Sequence, residues 1–386
     1  MFPVLALSSM LLFVDGCKED EPTMITGFSI DKASLVEGAA KNNQVISVTA
    51  MGSLNSTVKV TYQIKEGTAK AGVDITAAQG ELEFSKGQLS ASLPIEVLGD
   101  SNLELGESFD ILFSYNGNDF VSTIEITNDD VIEDILSAED GFYTPESYPS
   151  MQAVFKDEFD AAALNAAKWT HDLGNGCSAG ICGWGNNELE TYTNSSENIK
   201  LSNGKLVITA LNNNATYTSA RIKTQDKVEV KFGRIDVRAK LPKGQGIWPA
   251  IWMLGENIDV AGSPWPICGE IDIMEVVGHR PAELVGTVHY NNEGYKYSSS
   301  STTLTSGDFS DKFHVFSLVW DKNKIIWYLD NKPFKEFTNT NISGYPFNKP
   351  FFFILNVAIG GNWPGPPDAT TVFPQQMIID YIRVFQ

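Results

Sequence analysis

Gly269-Glu270-Ile271-Asp272-Ile273-Met274-Glu275 alternates carboxylates with aliphatic side chains and then breaks its own alternation. In an extended strand, residues two apart share a face, so Glu270 and Asp272 project together while Ile271 and Ile273 pack behind them. Glu275, five positions after Glu270, falls on the opposite face. One residue inserted at Ile273-Met274 as a β-bulge returns it to the carboxylate face and bends the strand. Three carboxylates on one surface repel one another and raise at least one pKa. Such a cluster points to catalysis, with one ionised carboxylate as nucleophile and a second held protonated as an acid; the alternative is a solvated, exposed strand face.

The flanking sequence is strand-like throughout. Leu206-Val207-Ile208-Thr209-Ala210, Gly233 through Ala239, Val315 through Trp320 and Ile378 through Val384 alternate or run apolar, and no long run has a helical period. From Phe155 onward this predicts a large two-sheet jelly roll, whose curvature leaves a concave groove suited to a polymer. All eight Trp lie between Trp169 and Trp363. Trp248 and Trp252 are four apart, so in a strand they share a face, either open to the groove or buried as core.

The chain has 386 residues and a net charge of −20. That length fits two domains, and the acidity argues against nucleic acid, which requires a basic surface. Residues 1–150 carry 24 acidic and 7 basic side chains, against 24 and 21 in the remainder. An acidic, Trp-free first part and a nearly neutral, Trp-rich second part imply two modules that meet between Val131 and Pro149. In the first, Val45 through Val48, Val58 through Tyr62, Glu81 through Phe84, Leu93 through Val97, Phe109 through Phe113 and Ser122 through Ile126 are short strands between turn-rich stretches, a β-sandwich pattern. Gly67 through Asp74, Gly80 through Phe84, Glu104-Leu105-Gly106-Glu107 and Ile126 through Asp130 resemble the Calx-β domain. That resemblance implies acid clusters able to bind calcium at Asp74, Asp100, Asp129 and Asp130; the same residues also read as solvated turn acids.

Met1 to Phe13 is apolar and too short to span a bilayer as a helix. It reads as an export signal, and Cys17, followed by Lys18-Glu19-Asp20-Glu21, resembles the lipidated cysteine of Bacteroidetes-type surface lipoproteins. The expected location is therefore extracellular or on the outer membrane, held by a lipid anchor at Cys17. In an exported chain, Cys177 and Cys182 suit a small disulfide loop, and Cys268, in an apolar strand, reads as an inert buried thiol.

Five blocks occur in order: Gly183 through Glu190, Gly244 through Leu254, Cys268 through Glu275, Gly286-Thr287-Val288-His289-Tyr290 and Asn356 through Pro364. Together they resemble family 16 glycoside hydrolases, most closely the bacterial laminarinases, from about Phe155 to Gln386. The resemblance implies a retaining endo-hydrolase of β-1,3-glucan with no catalytic cofactor. Glu270 would be the nucleophile, Asp272 its helper and Glu275 the acid and base. His289 would hydrogen-bond the cluster, unless it is simply a satisfied buried histidine. Asn187, Arg221, Trp248 and Trp252 would contact sugar, and a structural calcium would sit on the convex face at Glu158, the Gly204 carbonyl and Asp380. The expected organisation is all-β: an export segment (1–23), an immunoglobulin-like Calx-β sandwich (24–130), a linker (131–150) and a concanavalin-like jelly roll (151–386), acting as a monomer. Hydrolysis of another polysaccharide (mixed-linkage glucan, agar or porphyran) and non-catalytic glycan binding are the competing readings.

Overall fold

A computed structural model describes residues 23–100, 106–127, 136–138, 140–148 and 150–386. Cys17, Asp129 and Asp130 lie outside the described residues. The described chain contains strands and four short 3-10 turns, with no α-helix, and divides into two compact units at Asp129/Asp130.

The first unit is a β-sandwich. Met24–Ile30, Asn42–Ser53 and Ser90–Val97 form one sheet; Ser34–Val36, Asn118–Thr127, Glu107–Tyr115, Val58–Glu66 and Gln79–Phe84 form the other. All six expected strand segments lie in these strands. Alternation sends Leu93, Ile95 and Val97 inward and leaves Pro94 exposed, so one face of each sheet is apolar. Phe84, Phe109, Phe113 and Ile124 fill the space between the sheets. Asp74 does not stand free for a cation, because its Oδ2 accepts the Lys70 N–H at 2.6 Å and closes its own turn.

The second unit packs a ten-stranded sheet against an eight-stranded one. In the eight-stranded sheet the main strand order is Thr170–Asp172, Arg221–Lys223, Phe351–Ile359, Ile247–Gly255, Glu270–Glu275, Glu283–Asn291 and Tyr295–Thr303. The interior between the sheets is continuous and apolar, with Ile251, Met253, Ile271, Leu355 and Val357 facing Val237, Phe316, Leu318 and Trp320.

The expected bulge is present. On one side Ile251 pairs with Met274 and Trp252 with Asp272, so Ile273 has no opposite number; on the other, Asp272 pairs with Thr287 and Glu275 with Val285. Ile273 and Met274 are both in the core, which turns Glu275 back to the concave face. Trp327, from the opposite sheet, donates its Nε1–H to the Asp272 carbonyl at 2.8 Å. Trp327→Phe would remove that bond at a cost of about 1 kcal/mol; an unchanged urea midpoint would show that the bond contributes nothing.

The expected linker is shorter than 131–150. Gly141–Tyr143 pairs with Leu136–Ala138, and the Phe142 N–H donates to the Phe313 carbonyl at 3.0 Å. Arg383 Nη1 donates to the carbonyls of Thr144 and Pro145 at 3.0 and 3.1 Å, and the Tyr148 hydroxyl donates to Asp236 at 2.6 Å. The physical reason is satisfaction of charge: Arg383 and Asp236 are buried in the ten-stranded sheet, and this segment supplies partners for them.

Candidate active site

The carboxylates lie on the floor of a cleft of about 680 Å³ in the concave sheet. Cross-strand register assembles that floor. Glu270 is opposite His289, Asp272 opposite Thr287, Ala250 lies between Glu275 and Asn356, and Trp248 is opposite Ala358. Alternation along Ile247–Gly255 puts Trp248, Ala250, Trp252 and Leu254 on the same surface.

Each outer carboxylate is held by an indole. Trp265 Nε1 donates to Glu270 Oε2 at 2.8 Å, and Trp248 Nε1 donates to Glu275 Oε1 at 3.0 Å. His289 Nε2 lies 3.2 Å from Asp272 Oδ2 and 3.6 Å from Glu270 Oε1. Its Nδ1 is 2.8 Å from the Tyr295 hydroxyl. With Tyr295 donating to Nδ1, the Nε2–H is left on the side of Asp272, whose Oδ2 makes no hydrogen bond of its own.

Burial raises all three acids. Glu270 is pushed up to about 8 by desolvation and then by the Asp272 charge, which the imidazole of His289 and the Trp265 N–H partly offset. Asp272 is likewise raised to about 8 by burial. Glu275 stands well above the ordinary carboxylate range, through burial and then through Asp272 and Glu270. Glu270 and Asp272 therefore share protons near neutrality, and Glu275 is likewise held toward its protonated form.

These carboxyls titrate higher in the folded chain than in the unfolded one, so their contribution is fully present below about pH 4.5 and is lost as the pH rises through about 8. Glu270→Gln removes one charge, so it melts above the wild type at about pH 9, and the difference closes by about pH 4. Equal melting temperatures at the higher pH would mean that these carboxylates are solvated.

Of the expected sugar contacts, Trp248, Trp252 and Arg221 line the cleft. The Arg221 guanidinium lies 4.4 Å from the Trp184 ring and 4.9 Å from the Trp252 ring, with its Nε 3.0 Å from Asp172. Asn187 does not line the cleft: its Nδ2 donates to Asn362 Oδ1 at 2.8 Å, and Asn186 takes the place in the wall. Left-handed backbone at Gly183, Trp184 and Asn187 turns this loop over the cleft, which favours its Gly and Asn content. Beneath it, Trp252 Nε1 donates to Asn356 Oδ1 at 2.8 Å, Asn356 Nδ2 to the Tyr192 hydroxyl at 3.0 Å, and that hydroxyl to Glu188 Oε2 at 3.2 Å.

Sequence reasoning missed Trp265, Tyr295, Tyr297, Trp184 and Trp363, all of which line the cleft. Tyr295 and Tyr297 carried a signal, an i, i+2 aromatic pair in a strand directly after His289. Trp184 and Trp363 lie inside the Gly183–Glu190 and Asn356–Pro364 blocks. Trp265, five residues before Glu270, reaches it because the chain folds back before the catalytic strand.

The convex-face set Glu158, Gly204 and Asp380 does not fit a divalent cation. Arg383 holds both Glu158 oxygens at 2.8 and 2.7 Å. Lys205 Nζ and Arg238 Nη1 take the two Asp380 oxygens at 2.9 and 2.6 Å. Calcium requires oxygen donors with uncompensated negative charge, and three resident cations already match it. Among the described residues, the one convergent group of three or more Asp, Glu, His or Cys side chains is Glu270, Asp272 and His289. Cys177 and Cys182 form the expected disulfide, and Cys268 is a buried free thiol that burial, chiefly, raises to about 12.

Residues 184–383 match the model of the glycosyl hydrolases family 16, and residues 19–130 match that of the Calx-beta domain. The chain is 37% identical over 300 residues to glucan endo-1,3-beta-glucosidase A1 of Niallia circulans, a match covering 70% of this chain and 43% of that protein. It is 38% identical over 258 residues to a beta-glucanase of Rhodothermus marinus, covering 62% of this chain and 86% of that protein. The laminarinase catalytic domain of Thermotoga maritima superposes with a TM-score of 0.56 at 44% identity, over 61% of this chain and 98% of that one. A laminarinase from Flavobacterium sp. UMI-01 does so with 0.56 at 41% identity, over 61% and 100%. The catalytic strand, its indole clamps and these matches agree: the chain belongs to the glycosyl hydrolases of family 16, with a Calx-beta domain preceding the hydrolase unit.

Proposed function

We propose that this protein cleaves internal β-1,3 linkages of a neutral, laminarin-type glucan outside the cell, with retention of anomeric configuration. The observation that carries the reading is the placement of three carboxyls mid-cleft, Asp272 buried and Glu270 and Glu275 half-buried, with aromatic walls on both sides. Trp184, Trp248 and Trp252 lie toward one edge of the sheet, and His289, Tyr295 and Tyr297 toward the other. A chain bound on both sides of the cut is the geometry of endo action.

In the first step the Glu270 carboxylate attacks the anomeric carbon, and the departing glycosidic oxygen takes the proton of Glu275. A glycosyl ester on Glu270 results, as in retaining hydrolases. Asp272 and His289 hold Glu270 in position. In the second step Glu275, now a carboxylate, removes a proton from water, which displaces Glu270 and regenerates both groups. The sum is addition of water across one glycosidic bond, with no cofactor.

Arg221 is matched by Asp172, so it gives the cleft wall no net positive charge for sulfated galactans. The test is reducing-sugar release with product sizing on laminarin, barley mixed-linkage glucan, agarose and porphyran. Short oligosaccharides from laminarin support the proposal, and activity confined to a galactan overturns its substrate. Anchorage through a lipid on Cys17 belongs to the same proposal; a Cys17→Ala variant that still fractionates with membranes would refute it.

A further inference from the structure

Glu270, Asp272 and His289 each offer one ligating atom, and these atoms all lie within 4.8 Å of one another. We infer that the three side chains form an inhibitory site for a divalent transition metal, with Zn²⁺ the ion whose size and donor preference they fit. Bound there, the ion occupies Glu270 and silences the enzyme until it is chelated away. The inhibition rests on the assignment of Glu270 as nucleophile; the binding does not.

The distances match a tetrahedral ion. A zinc that holds nitrogen and oxygen donors at about 2.1 Å sets them about 3.4 Å apart, the edge of the tetrahedron. His289 Nε2 lies 3.2 Å from Asp272 Oδ2 and 3.6 Å from Glu270 Oε1, one edge on either side of that length. Backbone register sets this spacing, because Glu270 and His289 are directly opposite on paired strands and Asp272 is two positions along. A second observation points to a cation. Asp272 is only 3% exposed, yet its Oδ2, which faces Nε2, has no hydrogen-bond partner. A buried carboxylate oxygen without a partner carries a desolvation cost, and a coordinated cation removes it.

Partners outside the triangle already aim the donors. Trp265 Nε1 donates to Glu270 Oε2 at 2.8 Å, which leaves Oε1 for the ion. Metal on Nε2 of His289 puts the imidazole proton on Nδ1, and the Tyr295 hydroxyl, 2.8 Å away, turns to accept it. Outer partners of this kind fix the ring and the tautomer of a metal-binding histidine. The fourth position opens into the cleft, where water completes the tetrahedron.

The donor set also selects among ions. One imidazole and two carboxylates neutralise a dication and suit zinc or copper, copper being the tighter in the Irving–Williams order. Ca²⁺ and Mg²⁺ require more oxygen donors than these three groups present.

The experiment is calorimetric titration of the folded protein with ZnCl₂, followed by laminarin hydrolysis at the same zinc concentrations. One equivalent is expected to bind, with affinity about tenfold lower in Tyr295→Phe, the loss that follows removal of an outer partner. His289→Ala is expected to lose more, and Glu275→Gln, outside the triangle, to bind as the wild type does. Zinc is expected to inhibit hydrolysis competitively with laminarin and reversibly with EDTA, whereas Ca²⁺ and Mg²⁺ leave the rate unchanged. A wild type that binds no zinc, or equal affinity in Tyr295→Phe and His289→Ala, overturns the site. Tyr295 is exposed at the rim, so Tyr295→Phe decides this question without His289→Ala. Zinc bound at full stoichiometry with hydrolysis unchanged places the ion away from Glu270 and overturns the site as well. Titration needs no substrate, so a protein silent on laminarin refutes the glucan reading while the calorimetry still judges the metal site.

Discussion

Glu270→Ser is expected to abolish laminarin hydrolysis, by about 10⁴-fold or more in kcat, while leaving glucan binding within a few-fold of wild type. Removing a nucleophile eliminates the covalent route altogether, and losses of this order accompany removal of a residue that acts as part of a unit. Serine retains the small polar contour of the floor but is too short to reach the anomeric carbon. Trp265 loses its acceptor on Glu270, yet the indole is half exposed at the rim and has solvent as a substitute. Binding is therefore set by the aromatic walls, which the substitution does not touch. The measurement pairs reducing-sugar assays with calorimetric titration of laminarin oligosaccharides. Turnover above about one per cent of wild type would show that Glu270 is not the nucleophile.

Glu275→Gln is the second large effect, expected at about 10²–10⁴-fold on the polysaccharide. The glutamine preserves the acceptor for Trp248 Nε1 but has no proton to give the leaving oxygen. An aryl β-glucoside oligomer with a strongly acidic phenol needs no such proton, so its first step is expected to be almost unaffected. A loss of equal size on both substrates would assign Glu275 a binding role. The pH profile carries the same argument with a sign. Activity requires Glu275 protonated and Glu270 ionised, so kcat/KM falls as the pH rises through the Glu275 pKa. Because burial and the neighbouring carboxylates raise that pKa, the alkaline limb lies above the ordinary glutamate range. The Trp248 N–H stabilises the Glu275 carboxylate, so Trp248→Phe is expected to move the limb to still higher pH.

Much of this site is legible in the sequence, because it is written at strand period. The break in alternation at Ile273-Met274 required a bulge, and the bulge is what keeps Glu275 on the face of Glu270 and Asp272. The same rule put Trp248 and Trp252 on one surface and identified the strands of the first sandwich. Local periodicity reports which face a side chain takes, and burial of one sheet face then enforces it.

Contacts between residues distant in the chain carried no such signal. Asn187 failed as a cleft residue because a left-handed turn points it at Asn362, 175 positions away, and offers Asn186 to the cleft instead. Glu158 and Asp380 had the right chemistry for calcium, but folding brings Arg383, Lys205 and Arg238 to the same face, and the ion pairs take the charge. The segment at 140–148 read as linker because nothing near it in sequence reveals the buried arginine and aspartate that it satisfies.

The sequence by itself determined the all-β class, the two modules, the bulged carboxylate strand and the family. Each depends on residues close in the chain, where a strand's fixed geometry turns spacing into direction. Only the tertiary structure decided which indole clamps which carboxylate, that His289 is oriented by Tyr295, and that the convex face is held by ion pairs. Those outcomes depend on strand order and on the packing of one sheet against another, which bring charges and rings together across separations that local pattern does not encode.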